Sequence, residues 1–150
     1  LNLSTNLHHE KKGKAMLLDA QLNDFEDFSP IAVGTYEFVI KEPMEVIPSV
    51  DEKTDIGGKK YTFIIRPEIC GGEHAGKKIR RQLSNGSKAS RYFLKSFLEN
   101  IGVKVNGSGQ FNSEDVLGRR FKGTVVERPY TKDGEAKKAS DIETESIVAL

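Results

Sequence analysis

The stretch from Gly57 to Leu83 constrains the fold more than any other part of the chain. Side chains alternate along it, so Tyr61, Phe63 and Ile65 fall on one face of a strand and Thr62, Ile64 and Arg66 on the other. Gly71-Gly72-Glu73-His74-Ala75-Gly76 then turns the chain, and Lys77-Lys78-Ile79-Arg80-Arg81-Gln82-Leu83 follows. Two β-rich runs joined by a glycine-rich turn predict a hairpin. Aromatic rings can stack on unpaired bases while cations follow phosphates, so aromatics interleaved with cations on a sheet suit a single-stranded nucleic acid. The plainer reading is that Tyr61 and Phe63 are core and that the cations form a solvated edge that discourages aggregation.

The other patterned stretches are mostly of the same kind. From Thr35 to about Pro48, Tyr36, Phe38 and Ile40 alternate with Glu37, Val39 and Lys41, which predicts a strand with one buried face. Pro43 and Pro48 interrupt its ladder, so it should bend, as a strand does when it serves both sheets of a small barrel. A polar loop is expected at 50–58. A fourth strand is expected from Arg119 to Arg128, with Gly123 marking a bend or a close backbone approach. Pro129–Gly134 reads as a turn-rich loop with Tyr130 exposed, and a fifth strand should run from about Lys138 to Val148.

One segment, 88–101, has the helical period. Ala89, Phe93 and Phe97 step by four, with Leu94, Leu98 and Ile101 beside them, so Phe93 and Phe97 are both expected in the core. Ser87 is the expected N-cap and Gly102 the stop. Ser113–Leu117 predicts a single helical turn ended by Gly118. Towards the amino terminus, Ala15–Leu22 predicts a short amphipathic helix. Residues 1–24 are read as a mobile arm or docking helix, and Phe25 and Phe28 as pins for the domain that follows. His8 and His9 are adjacent, do not share a helix face and are not read as a metal site.

The order is strand, strand, strand, helix, strand, strand. That is the order of a mainly β, five-stranded antiparallel OB-fold barrel with one helix between strands three and four, here spanning 25–150. Its ligand surface would cross strands two and three, flanked by the loops at 50–58 and 129–136. Charge points the same way. Residues 57–138 hold eighteen Lys/Arg against eight Asp/Glu, a net +10, whereas residues 1–56 hold five against eleven, a net −6. A basic centre suggests a polyanionic partner, unless the acidic ends fold back to neutralise it. The candidate binding residues are Lys59, Lys60, Arg66, Lys77, Lys78, Arg80, Arg81, Arg120, Lys122, Arg128 and Lys132 for phosphates, and Tyr61, Phe63 and Tyr130 for bases.

Several motifs, taken in order, carry a family resemblance. They are Phe25-Glu26-Asp27-Phe28, Gly34-Thr35-Tyr36, the Lys60–Ile65 strand and Gly72…Gly76-Lys77-Lys78. After them come Leu98-Glu99-Asn100-Ile101-Gly102, Leu117-Gly118-Arg119 and Tyr130…Asp133-Gly134. Over roughly residues 24–148 this set resembles the phage-encoded single-stranded DNA-binding proteins of OB-fold type, a small family first described only as a domain of unknown function. The resemblance implies non-catalytic coating of single-stranded DNA during phage replication or recombination, in the cytoplasm of the bacterial host. It also implies phage or host replication and recombination proteins as partners, and a homodimer or cooperative assembly on DNA. Residues 141–150 lack the proline–aromatic tip by which many such proteins recruit partners, so recruitment is left open.

Other function classes have less support. The chain holds no glycine-rich phosphate loop, no paired metal-ligand histidines and no nucleophile elbow, so no catalysis, cofactor or metal is expected. Asp24, Glu26 and Asp27 cluster without a nuclease-type lysine at a usable spacing. Cys70 is the only cysteine, which leaves no intrachain disulfide and no cysteine-ligated zinc. No apolar run approaches the length of a membrane helix. The alternative is a non-catalytic phage protein-interaction or assembly module on a small β-barrel, which would not respond to oligonucleotide length or salt.

Overall fold

The computed structural model describes residues 15–20 and 31–150. These residues form two curled antiparallel sheets and one α-helix, a mainly β, barrel-like arrangement. The long first strand is present as two segments, β1 (Gly34–Val39) and β2 (Glu45–Lys53), separated by a break that contains Pro43. β1 pairs with β6 (Arg120–Lys132) from Gly34↔Val125 to Val39↔Arg120. β2 pairs with β3 (Lys59–Ile65), and its register slips after Pro48, which has no N–H to give the ladder. One bent stretch thus serves both sheets.

After Pro67 the short β4 (Glu68–Ile69) crosses to pair with β1, and β5 (Arg81–Ser84) returns to β3. The third strand is therefore shorter than expected: Lys77–Arg80 are not strand, and the backbone of Lys78 forms an isolated bridge with Glu68. The turn between them needs its glycines, since Gly71, Gly72 and Gly76 have φ of 75°, 77° and 89°.

β6 and β7 (Glu135–Ile142) make a long hairpin, and here the expected loop at 129–136 is corrected. β6 continues to Lys132, and the turn is the two residues Asp133-Gly134, both at positive φ (53° and 80°), a geometry that Asp-Gly favours. From Glu127 to Lys138 every residue of the hairpin is exposed. The fifth strand stops at Ile142, short of the expected Val148; a 3-10 turn (Thr144–Ser146) and β8 (Val148–Ala149), which pairs with β6, follow. The strand orders are β4-β1-β6-β7, with β8 also on β6, and β2-β3-β5. No backbone pairing joins the edge strands β5 and β7 among the described residues.

α1 (Lys88–Asn100) lies between β5 and β6 in the chain. Ser87 caps it reciprocally with Ser90, and Gly102 ends it at φ 93°. Its buried stripe is Leu94, Phe97 and Leu98, continued by Ile101. Phe93 is the correction: it is 51% exposed, because the core takes the face centred on 94, 97, 98 and 101 and leaves 93 on its flank. Ala89 is exposed too. Phe121 is the hinge of the core, stacked on Phe38 at 5.1 Å and met edge-on by Phe97 at 6.3 Å. Gly123 is a close approach: a Cβ there would stand 2.9 Å from Cγ2 of Ile142.

Residues 15–20 form no helix, contrary to expectation, and Met16, Leu17 and Leu18 are exposed. The remainder of that segment, His8, His9, Phe25 and Phe28 lie outside the described residues. No helix of the described residues is long and apolar enough to cross a membrane.

Candidate nucleic-acid interface

A groove of about 640 Å3 runs between β5, the β6–β7 hairpin and the first half of α1. Arg80, Phe93, Arg128 and Tyr130 line it. Phe93, on the helix, is 51% exposed and Tyr130, on the hairpin, is 45% exposed, so both rings are reachable from solvent. Tyr92, 68% exposed, stands edge-on to Phe93 at 5.6 Å. Arg80 is exposed, and no carboxylate lies within ion-pair distance of it among the described residues.

Arg81 behaves differently from its neighbour. Successive strand residues point to opposite faces, so Arg81 shares the inward parity of Leu83. Its side chain is 13% exposed and reaches across to β7. It donates to Asp141 Oδ1 at 3.2 Å, to the carbonyl of Ile142 and to the hydroxyl of Thr144. Its guanidinium also lies 5.6 Å from the Phe97 ring centroid. Burial pushes the Arg81 pKa down; the Asp141 charge opposes that shift and the Arg128 charge adds to it. Arg81 therefore spans the seam that the backbone leaves open. Arg128 Nε donates to the other oxygen of Asp141 at 2.6 Å, so one carboxylate fixes the seam and orients a groove cation. Towards α1 and the 3-10 turn the groove continues into a depression with Glu143 and Glu145 on its wall, where a polyanion would be repelled.

The remaining candidates lie elsewhere. Lys60 pairs with Glu52 at 2.9 Å, Arg66 with Glu45 at 2.9 Å and Lys78 with Glu42 at 2.5 Å. Phe63 belongs to the core at 6% exposure, and Tyr61 is half-buried against it with Lys59 over its ring at 5.8 Å. Arg120 and Lys122 are exposed on β6 opposite Val39 and Glu37, about 26 Å and about 20 Å along the strand from Arg128. Lys77 is half-buried beside the glycine turn. Lys132 shares the hairpin face of Arg128 and Tyr130, near the turn. The structure thus gathers Arg80, Arg81, Arg128 and Tyr130 in one place. Sequence reasoning missed Phe93 there, although its offset from the 94-97-98-101 stripe was a usable signal.

Among the described residues no group of His, Cys, Asp and Glu is arranged to hold a metal ion. Compared with known proteins, the chain matches no family model and no curated sequence.

Proposed function

We propose that the protein binds single-stranded DNA without catalysis, on an OB-type scaffold. The observation that carries the reading is one groove lined by two exposed rings, Phe93 and Tyr130, and by the cations Arg80 and Arg128. Unpaired bases present ring faces to such side chains, whereas a duplex hides them in its stack, so this arrangement favours single strands. Phosphates follow Arg80, Arg128 and Lys132, and the acids beyond Phe93 end the track. The pairing of one bent stretch with both sheets, and a helix between β5 and β6, support the OB-type assignment. Coating of phage DNA during replication or recombination is the biological role this implies.

The test is fluorescence anisotropy of labelled oligo-dT against a duplex of equal length, with salt titrated in both. Tight binding to the single strand, much weaker binding to the duplex and a steep negative salt slope are expected. Equal weak binding to both would reduce the groove to a generic basic patch.

A further inference from the structure

The buried stripe of α1 has a second flank. On the side away from Phe93, a cleft of about 710 Å3 lies between α1, β3 and the loop at 103–113. Its floor is already core, since Phe63, Leu94 and Leu98 are each no more than 7% exposed. Its walls are not: Val46 is 42% exposed, and Tyr61 and Phe111 are half-buried. The rings form a row, with Tyr61–Phe63 centroids at 5.9 Å and Phe63–Phe111 at 5.8 Å. A packed floor with partly exposed apolar walls can take one apolar side chain inserted from outside.

The charge of the rim narrows the occupant. Asp55 is occupied by Arg91 at 2.7 Å, and Arg91 also donates to the Asn85 carbonyl at 3.1 Å. The Asn85 side chain is committed to the backbone of Tyr61 and Lys59. Lys95 is exposed on the rim, and no carboxylate lies within ion-pair distance of it among the described residues. Lys59 stands over Tyr61 in the same condition. One uncompensated cation, Lys95, therefore lines the cleft, and a second, Lys59, stands over a ring of its wall.

We propose that this cleft docks a short acidic peptide segment of a partner protein. An aromatic or leucine side chain of the partner seats against Tyr61, Phe63 and Phe111, and a flanking carboxylate pairs with Lys95. The site is separate from the DNA groove and does not depend on that reading.

A displayed random-peptide library panned on the protein, with counter-selection on Lys95→Glu, tests this. Enriched peptides should place Asp or Glu beside Phe, Tyr, Trp or Leu. A labelled copy of an enriched peptide should bind Lys95→Glu about tenfold more weakly than the original chain. Lys95 is exposed, so melting should be unchanged in that variant. Binding should survive saturating oligo-dT and the Arg80→Ala substitution. No enrichment, enrichment of basic or uncharged peptides, or equal binding to Lys95→Glu would overturn the proposal. So would displacement by oligo-dT, which would make the cleft part of a nucleic-acid path.

Discussion

Phe93 and Phe97 are one helical turn apart and have opposite roles. Phe97 is fully buried against Phe121, and Phe97→Ala should cost about 3–5 kcal/mol of stability in urea unfolding. Phe93→Ala should leave unfolding nearly unchanged and instead weaken oligo-dT binding by about 1–3 kcal/mol, as should Tyr130→Ala. The neighbouring arginines divide in the same way. Arg80→Ala should lower the salt slope of binding by roughly 0.7 with little change in stability. Arg81→Met should cost about 3 kcal/mol in stability, because it leaves Asp141 half-buried with fewer partners and opens the β5–β7 seam. An equal effect of both arginine substitutions on the salt slope would place Arg81 in the groove chemistry and contradict its role as a clasp. This division was legible in part. Leu83 is an obvious core residue, and counting back by two gives Arg81 an inward parity that a simple tally of cations conceals.

The β6–β7 hairpin shows where patterning fails as a guide. Both faces of residues 127–138 meet solvent, so no alternation of apolar and polar side chains marks them as strand. The ribbon is held by its ladder, the Asp133-Gly134 turn and the Arg128–Asp141 pair at its base, and nothing in the pattern of 129–136 separates it from a loop. Strands that press on the core, such as β1 and β3, carry apolar residues that mark them in the sequence. The helix, its cap and its stop are legible in the sequence, but the width of its apolar stripe hides which phenylalanine lies outside. Gly134→Val puts a β-branched residue at φ 80°, a strain of about 1–3 kcal/mol. Because the ribbon beyond Glu127 has no core contact, the expected result is local. Amide exchange should quicken across 127–138, the core strands should keep their protection, and oligo-dT affinity should fall as Tyr130 and Arg128 lose their place. Unchanged affinity with a frayed ribbon would remove the hairpin from the binding surface.

Among the described residues, the charge asymmetry of the sequence is cancelled in part by folding. Glu42, Glu45, Glu52 and Asp55 come from the acidic first part of the chain and pair with Lys78, Arg66, Lys60 and Arg91 from its basic middle. Cations counted along the chain therefore overstate the surface left for a polyanion, which is why only part of the candidate set converges on the groove. The same pairs give stability a pH dependence of definite sign. The hydrogen bond and charge of Lys60 hold Glu52 below the ordinary glutamate value, and the hydrogen bond from Arg91 holds Asp55 below the ordinary aspartate value. Groups with lowered folded-state values contribute stability that is present above their unfolded values and lost as pH falls through the folded ones. Melting temperature should therefore be nearly flat from about pH 8 to 5 and should fall below about pH 4. A Glu52→Gln, Asp55→Asn double variant should begin lower at neutral pH and fall less steeply in acid. Salt near 1 M should narrow the neutral-pH difference between the two proteins, since both pairs are exposed to screening. Parallel acid limbs for the two proteins would show that the Lys60–Glu52 and Arg91–Asp55 pairs do not set the acid sensitivity.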